Sequence, residues 1–192
     1  ARATGRTATV PATVAAICLL VGVLFPGALP DPVRDRIKGG DAPTIFSQWS
    51  PVFRVDVVPV PGAVPPTNFL VHDGTLGSSM LQYDGDPSSL GRYDKMDRSF
   101  PFRLLGPEPH VAIIGAAGGN EILASLRLGA GHITGIELNP VTVSLLTDHF
   151  ADFTGNIARH PKVTLVNAEG RSYLKSTGKE FDLIWLVAPE SY

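Results

Sequence analysis

Residues 115–120 read Gly-Ala-Ala-Gly-Gly-Asn, between the apolar run Val111–Ile114 and a helix-like segment. Small residues let a backbone approach a ligand closely, and amides at a helix start favour electron-rich groups. About 20 residues on, "GIELNP" puts Glu137 and Leu138 at the tip of a second strand, where a carboxylate can accept from both hydroxyls of a ribose. A third strand ends in "VNAEGRSYL" and brings Glu169 to the same rim. An acid there can accept from an adenine amino group. Gly115, Ala116, Ala117, Gly118, Gly119, Asn120, Glu137, Leu138 and Glu169 are therefore the candidate cofactor-binding residues. A solvated loop acid is the alternative reading for either acid alone, and a purely structural turn for the glycines; their convergence strengthens the adenosyl reading. A dinucleotide site of nicotinamide type is the weaker option. Ala117 stands where G-x-G-x-x-G has its second glycine, and Asn120 where it has the last.

These residues need a scaffold that brings strand ends together. From His110 onward, strand-like and helix-like segments alternate: "HVAIIG", "GNEILASLRLG", "HITGIEL", "NPVTVSLLTDHFADF", "KVTLVNA", "GRSYLKST" and "FDLIWLVA". Asn139 reads as an N-cap with Pro140 at the first helical position. This alternation predicts an α/β fold, a Rossmann-like doubly wound parallel sheet, expected to be incomplete at its C-terminal end. Upstream, "PVFRVDVVPV" (51–60), "TNFLVHDGT" (67–75) and "SSMLQYD" (78–84) read as a small antiparallel sheet with an Asp-Gly turn at Asp73. "SSLGRYDKMDRSFPFRLL" is expected to hold a short helix broken by Pro101. The expected organisation is 1–29, an apolar helix and its flank; 30–48, a linker; 49–105, a β-rich subdomain; and 106–192, a nucleoside-binding domain.

Composition excludes several classes. With 16 basic and 18 acidic residues, net charge −2 and no basic tract, nucleic acid is not an expected partner. A single cysteine, Cys18, excludes an intrachain disulfide and a cysteine-based zinc site. His72, His110, His132, His149 and His160 show no ligand spacing, and no metal is expected. From Ala8 to Leu29 there is no charged residue. That run just reaches the ~20 residues that span a bilayer, and it contains Pro11 and Pro26. A transmembrane helix is expected, with a signal peptide or a buried soluble helix as alternatives.

The quoted segments from Val111 to Pro140, from Val163 to Leu174 and from Phe181 to Ser191 resemble, in order and spacing, the spermidine synthase family. That family belongs to the class I S-adenosylmethionine-dependent transferases. "WSPVFRVDV" (49–57) and "FLVHDGTLGSSM" (69–80) are similar to the family's N-terminal strands, and the apolar segment ahead of them to its membrane-fused branch. The resemblance implies that the glycine turn, Glu137 and Glu169 bind the nucleoside of S-adenosylmethionine or of its decarboxylated form. It further implies alkyl transfer to a small-molecule amine or other acceptor, with Asp73 as a substrate contact.

The chain departs from the family on the amine side. Val187 stands where the family carries its basic aspartate, which leaves Glu190 as the candidate catalytic acid. Gly118 replaces the acid that contacts the aminopropyl end. Phe53 and Gly77 fall at two glutamine positions, and Tyr93–Asp94–Lys95 at the Tyr-His-Glu segment. Aminopropyl transfer is thus the leading expectation. Methyl transfer from S-adenosylmethionine, or a non-catalytic nucleoside-binding domain that regulates or scaffolds a membrane protein, are the alternatives. A homodimer is left open. The expected location is a membrane, with the folded domain on the cytoplasmic side.

Overall fold

The computed structural model describes residues 6–25 and 42–187. The chain divides into two compact units, Ala1–Asp35 and Arg36–Tyr192.

The first unit holds α1 (Arg6–Leu24), a helix of 19 residues with Pro11 inside it. Among the described residues, no helix is long and apolar enough to cross a membrane. The expected transmembrane helix, the membrane as partner and the location at a membrane are corrected accordingly. The physical reason lies in the first half of α1. It opens on Arg6 and includes Thr7, Thr9, Pro11 and Thr13. The uninterrupted apolar run begins only at Val14 and falls well short of the ~20 residues a bilayer requires.

The second unit contains two sheets. The first is antiparallel, in the order β1 (Phe46–Gln48), β2 (Val55–Pro59), β3 (Thr67–His72) and β4 (Thr75–Leu81). Strand β1 lies in the stretch read from composition as a linker, and adds an edge to the sheet. Asp73 and Gly74, with φ of +48° and +84°, make the tight β3–β4 turn that an Asp-Gly pair favours. In place of one helix broken by Pro101, three short 3-10 turns follow: Pro87–Lys95, Asp97–Ser99 and Pro101–Leu104.

The second sheet is parallel and contains β5 (His110–Ile114), β6 (His132–Glu137), β7 (Val163–Asn167) and β8 (Leu183–Leu186). Its order is β7-β6-β5-β8. The connections carry α2 (Asn120–Arg127), α3 (Pro140–Ser144) and α4 (Gly170–Ser176). The Asn139 side chain accepts from the Val141 amide, and Pro140 opens α3, as the residue types predict. The helix then widens into a π-type turn over Leu145–His149.

This is the mixed α/β architecture expected, with a Rossmann-like parallel sheet. The strand order reverses at β5, because β6 lies on one side of it and β8 on the other. In open α/β sheets, the carboxyl ends of such neighbouring strands form the ligand crevice. One apolar core joins both sheets: Val55, Leu70 and Met80 pack with Val111, Ile113, Ile122 and Ile133. Each fully buried aliphatic side chain of this kind contributes roughly 1.5–3 kcal/mol. The antiparallel sheet is therefore held against the parallel one, close to its strand ends.

Candidate functional site

The turn after β5 is held by its own backbone. The Gly115 and Ala116 amides both donate to the Ile136 carbonyl, at 2.8 and 3.1 Å, and the Gly119 amide to the Ala116 carbonyl at 2.8 Å. Three of its residues sit in the left-handed region: Gly115 at φ +83°, Ala117 at +41° and Gly119 at +84°. At Gly115 a side chain would also crowd the Val187 carbonyl, 3.0 Å from an ideal Cβ. Sequence alone suggests turn amides directed at a ligand. In the structure most of them are engaged within the protein, and among the described residues the Gly118 amide makes no hydrogen bond.

Glu137 completes the turn. Its Oε2 accepts from the Ala117 amide at 3.0 Å and its Oε1 from the Asn139 amide at 2.9 Å. The residue is 7% exposed. Each carboxylate oxygen has two lone pairs. Glu137 can therefore hold the turn and still accept a further bond on each oxygen, which is what a pair of vicinal hydroxyls would ask of it. Leu138 beside it is half exposed and offers an apolar surface at the rim.

Glu169 is the N-cap of α4. Its carboxylate accepts from the Arg171 amide at 2.9 Å and the Ser172 amide at 2.8 Å. The bonds from Ser172 and Arg171 hold its carboxyl below the ordinary 4.5. Gly170 then lies so close to β5 that a Cβ there would come within 2.5 Å of an Ile114 methyl. That contact sets the start of α4 over the end of β5. The Ala168 amide donates to the Glu137 carbonyl at 3.0 Å, so the ends of β5, β6 and β7 converge.

Asn120 turns away from this crevice. Its Nδ2 donates to the Ser79 carbonyl at 2.7 Å and to Ser79 Oγ at 3.1 Å. Its Oδ1 accepts from the Tyr93 hydroxyl at 3.1 Å. Burial pushes the Tyr93 phenol up to about 12, so it stays protonated and donates. Gly118 faces the same strand. An ideal Cβ on it would lie 2.0 Å from the Ser79 carbonyl oxygen. The acid that the family resemblance puts at this position has no room here.

The expected amine-side positions show a second departure. The Phe53 and His72 rings stack, with centroids 4.2 Å apart and planes at 29°. A Cβ on Gly77 would fall 2.0 Å from His72 Nδ1. His72 thus occupies the space beside position 77, and Phe53 forms its other wall. Burial lowers the imidazole pKa below 6.5, against a smaller opposing effect of Asp73. His72 shows no ligand spacing in the sequence. The only signal was a glycine where the family has a glutamine, and it identified no partner.

Asp73 Oδ1 accepts from the Arg54 amide at 2.9 Å, which fastens the hairpin turn to the residue before β2. Val187 follows β8, its amide bonded to the Ile114 carbonyl at 3.0 Å, so the expected position of the basic acid borders Gly115. Glu190 lies outside the described residues. Asp182, at the opposite end of β8, accepts from the His110 amide at 2.7 Å. Among the described residues, no group of His, Cys, Asp and Glu could hold a metal ion.

No family model matches the chain. Over 89 residues it is 27% identical to a polyamine aminopropyltransferase of Korarchaeum cryptofilum, a match spanning 46% of this chain and 27% of that relative. The spermidine synthase of Thermotoga maritima has a similar fold, with a TM-score of 0.57 at 18% identity, over 74% of this chain and 47% of that one. A spermidine synthase solved in complex with the transition state analogue AdoDATO gives a TM-score of 0.54 at 18% identity, over 76% and 47%. The chain thus spans less than half the length of these proteins. It resembles spermidine synthases in fold, and a polyamine aminopropyltransferase in sequence over the matched residues.

Proposed function

We propose that this chain forms the donor-binding half of an aminopropyltransferase of spermidine synthase type. In this reading the Gly115–Gly119 turn, Glu137, Leu138 and Glu169 bind the nucleoside of decarboxylated S-adenosylmethionine. The observation that carries it is the joint geometry of the turn and Glu137. A buried carboxylate bonded to the Ala117 amide ends β6, beside the strand β5 at which the order reverses, with acceptor capacity remaining. The sequence match to an aminopropyltransferase supports the donor class.

The chemistry is attack by an amine on the carbon next to a sulfonium. The new C–N bond forms as the C–S bond breaks, and the bonding pair leaves on sulfur as a neutral thioether. The attacking amine must be neutral, yet an alkylamine carries its proton to a pKa near ~10. A carboxylate that accepts the proton as a base is required. With Val187 bordering Gly115, this reading assigns that task to Glu190.

A second reading, methyl transfer from S-adenosylmethionine, is favoured by Gly118. The Ser79 carbonyl closes the space from which an acid would select an aminopropyl ammonium. Incubation with either donor and a panel of amines, with mass-spectrometric detection of the nucleoside product, separates the two. Release of 5′-methylthioadenosine supports aminopropyl transfer, and release of S-adenosylhomocysteine supports methyl transfer. Release of neither from the full-length protein excludes both.

A further inference from the structure

Behind the glycine turn lies a pocket of about 410 Å³, bordered by β4, the first 3-10 turn and the start of α2. Arg92 and Arg98 line it, and among the described residues that line it none is Asp or Glu. Its other walls are apolar, as at Val60 and Leu81, or carry neutral polar groups.

The two arginines are held differently. Arg98 Nε donates to Glu121 Oε1 at 2.7 Å, and the glutamate is nearly buried beneath it. That pair offsets part of the Arg98 charge. Arg92 is exposed, lies 5.8 Å from the Tyr93 ring centroid, and among the described residues takes part in no ion pair. An aromatic face under a guanidinium holds it in place without neutralising it. The Tyr93 hydroxyl is engaged by Asn120 and stays protonated, so it adds no negative charge.

A cationic wall beside an apolar one, with no acid among the described lining residues, repels a polyamine and suits a group of the opposite sign. We infer that this pocket binds a small organic anion, a carboxylate or phosphate head on an apolar body. The head sits at Arg92 and Arg98, and the body lies against Val60 and Leu81. Planar guanidinium groups match both head groups in geometry as well as charge. The site is independent of the nucleoside reading, because its occupancy is measured with no sulfonium present.

The experiment is titration calorimetry on the full chain at constant ionic strength with three probes that share one ring: benzoate, phenyl phosphate and benzylamine. At least one anion is expected to bind, with benzylamine at least ~10-fold weaker, and the stronger anion names the head group. Arg92→Gln is expected to weaken the anion about 10-fold, the scale of one charge-assisted contact. Its melting temperature should not move, since Arg92 is exposed and, among the described residues, in no ion pair. Arg92→Lys, which restores the charge, is expected to recover most of the affinity. The inference is overturned if neither anion binds, if benzylamine binds as tightly, if Arg92→Gln leaves the affinity unchanged, or if Arg92→Lys binds no better than Arg92→Gln.

Discussion

Glu137 Oε2 accepts a hydrogen bond from the Ala117 amide at 3.0 Å, across 20 residues of sequence. One carboxylate therefore fixes the conformation of the glycine turn and keeps acceptor capacity at the same place. Ala117 is held at φ +41°, a conformation that a non-glycine residue adopts at some cost. The bond to Glu137 offsets part of that cost.

Glu137→Gln should therefore damage folding as well as binding. A glutamine can accept from one of the two amides but presents a donor to the other. The buried mismatch is expected to cost about 1–3 kcal/mol. Urea denaturation measures it, and a variant as stable as the parent would show that the two amide bonds contribute little.

Gly118 tests the packing of β4 on the turn. Gly118→Ala places a methyl group against the Ser79 carbonyl, where an ideal Cβ lies only 2.0 Å away. Overpacking of this kind costs roughly 1–3 kcal/mol. Gly118→Asp should be at least as destabilised and should not raise affinity for an aminopropyl donor. An aspartate variant with unchanged melting and tighter donor binding would mean that the turn and β4 separate in solution.

His72 and Gly77 should behave as a coupled pair. Gly77→Ala forces the imidazole to move, because its Cβ would meet His72 Nδ1. The double variant with His72→Ala should be less destabilised than the sum of the two single changes. Neighbours in direct contact typically show coupling of about 0.5–3 kcal/mol. Simple additivity of the denaturation free energies would place the two side chains apart.

The same histidine makes stability depend on pH. Burial lowers its folded-state pKa below the ordinary 6.5. The unfolded chain thus takes up the proton first as pH falls. The stabilisation is complete above 6.5 and is lost as pH drops through the folded value. The parent should lose stability on acidification through this range, and His72→Phe should lose less. Equal losses in paired denaturation curves would contradict this.

Glu169 titrates at lower pH, with the same sign. Hydrogen bonds from Ser172 and Arg171 favour its charged form in the folded state. Its contribution to α4 is present above 4.5 and fades as pH falls through the lowered folded value. Glu169→Gln should fray α4 at neutral pH, read as faster amide exchange at Arg171 and Ser172. The difference from the parent should vanish at strongly acid pH.

Local chemistry made much of the parallel sheet legible in the sequence. The apolar runs at Val111–Ile114 and Ile133–Ile136 became β5 and β6, and Asn139–Pro140 became a capped helix start. The local geometry of the candidate site was legible where a strand end and a turn lie close in the motif, as at Gly115 and Glu137. It was not legible where the partner is distant. Asn120 meets Ser79 across 41 residues and Tyr93 across 27, and no periodicity announces such pairs. Glu169 illustrates a different limit. Its position before "GRSYL" suits a ligand contact and a helix cap alike, and the structure shows the cap. The N-terminal apolar run misled because charge-free is not the same as apolar: threonines and Pro11 occupy its first half.

Titration calorimetry with S-adenosylmethionine and with its decarboxylated form, on the parent and on Glu137→Ala, tests the nucleoside site most directly. At least one donor should bind the parent, and the variant should lose at least ~10-fold in affinity if the Glu137 carboxylate holds the ribose hydroxyls as proposed. Absence of binding by either donor, or equal affinity in the variant, would mean that the turn at Gly115 only joins a strand to a helix.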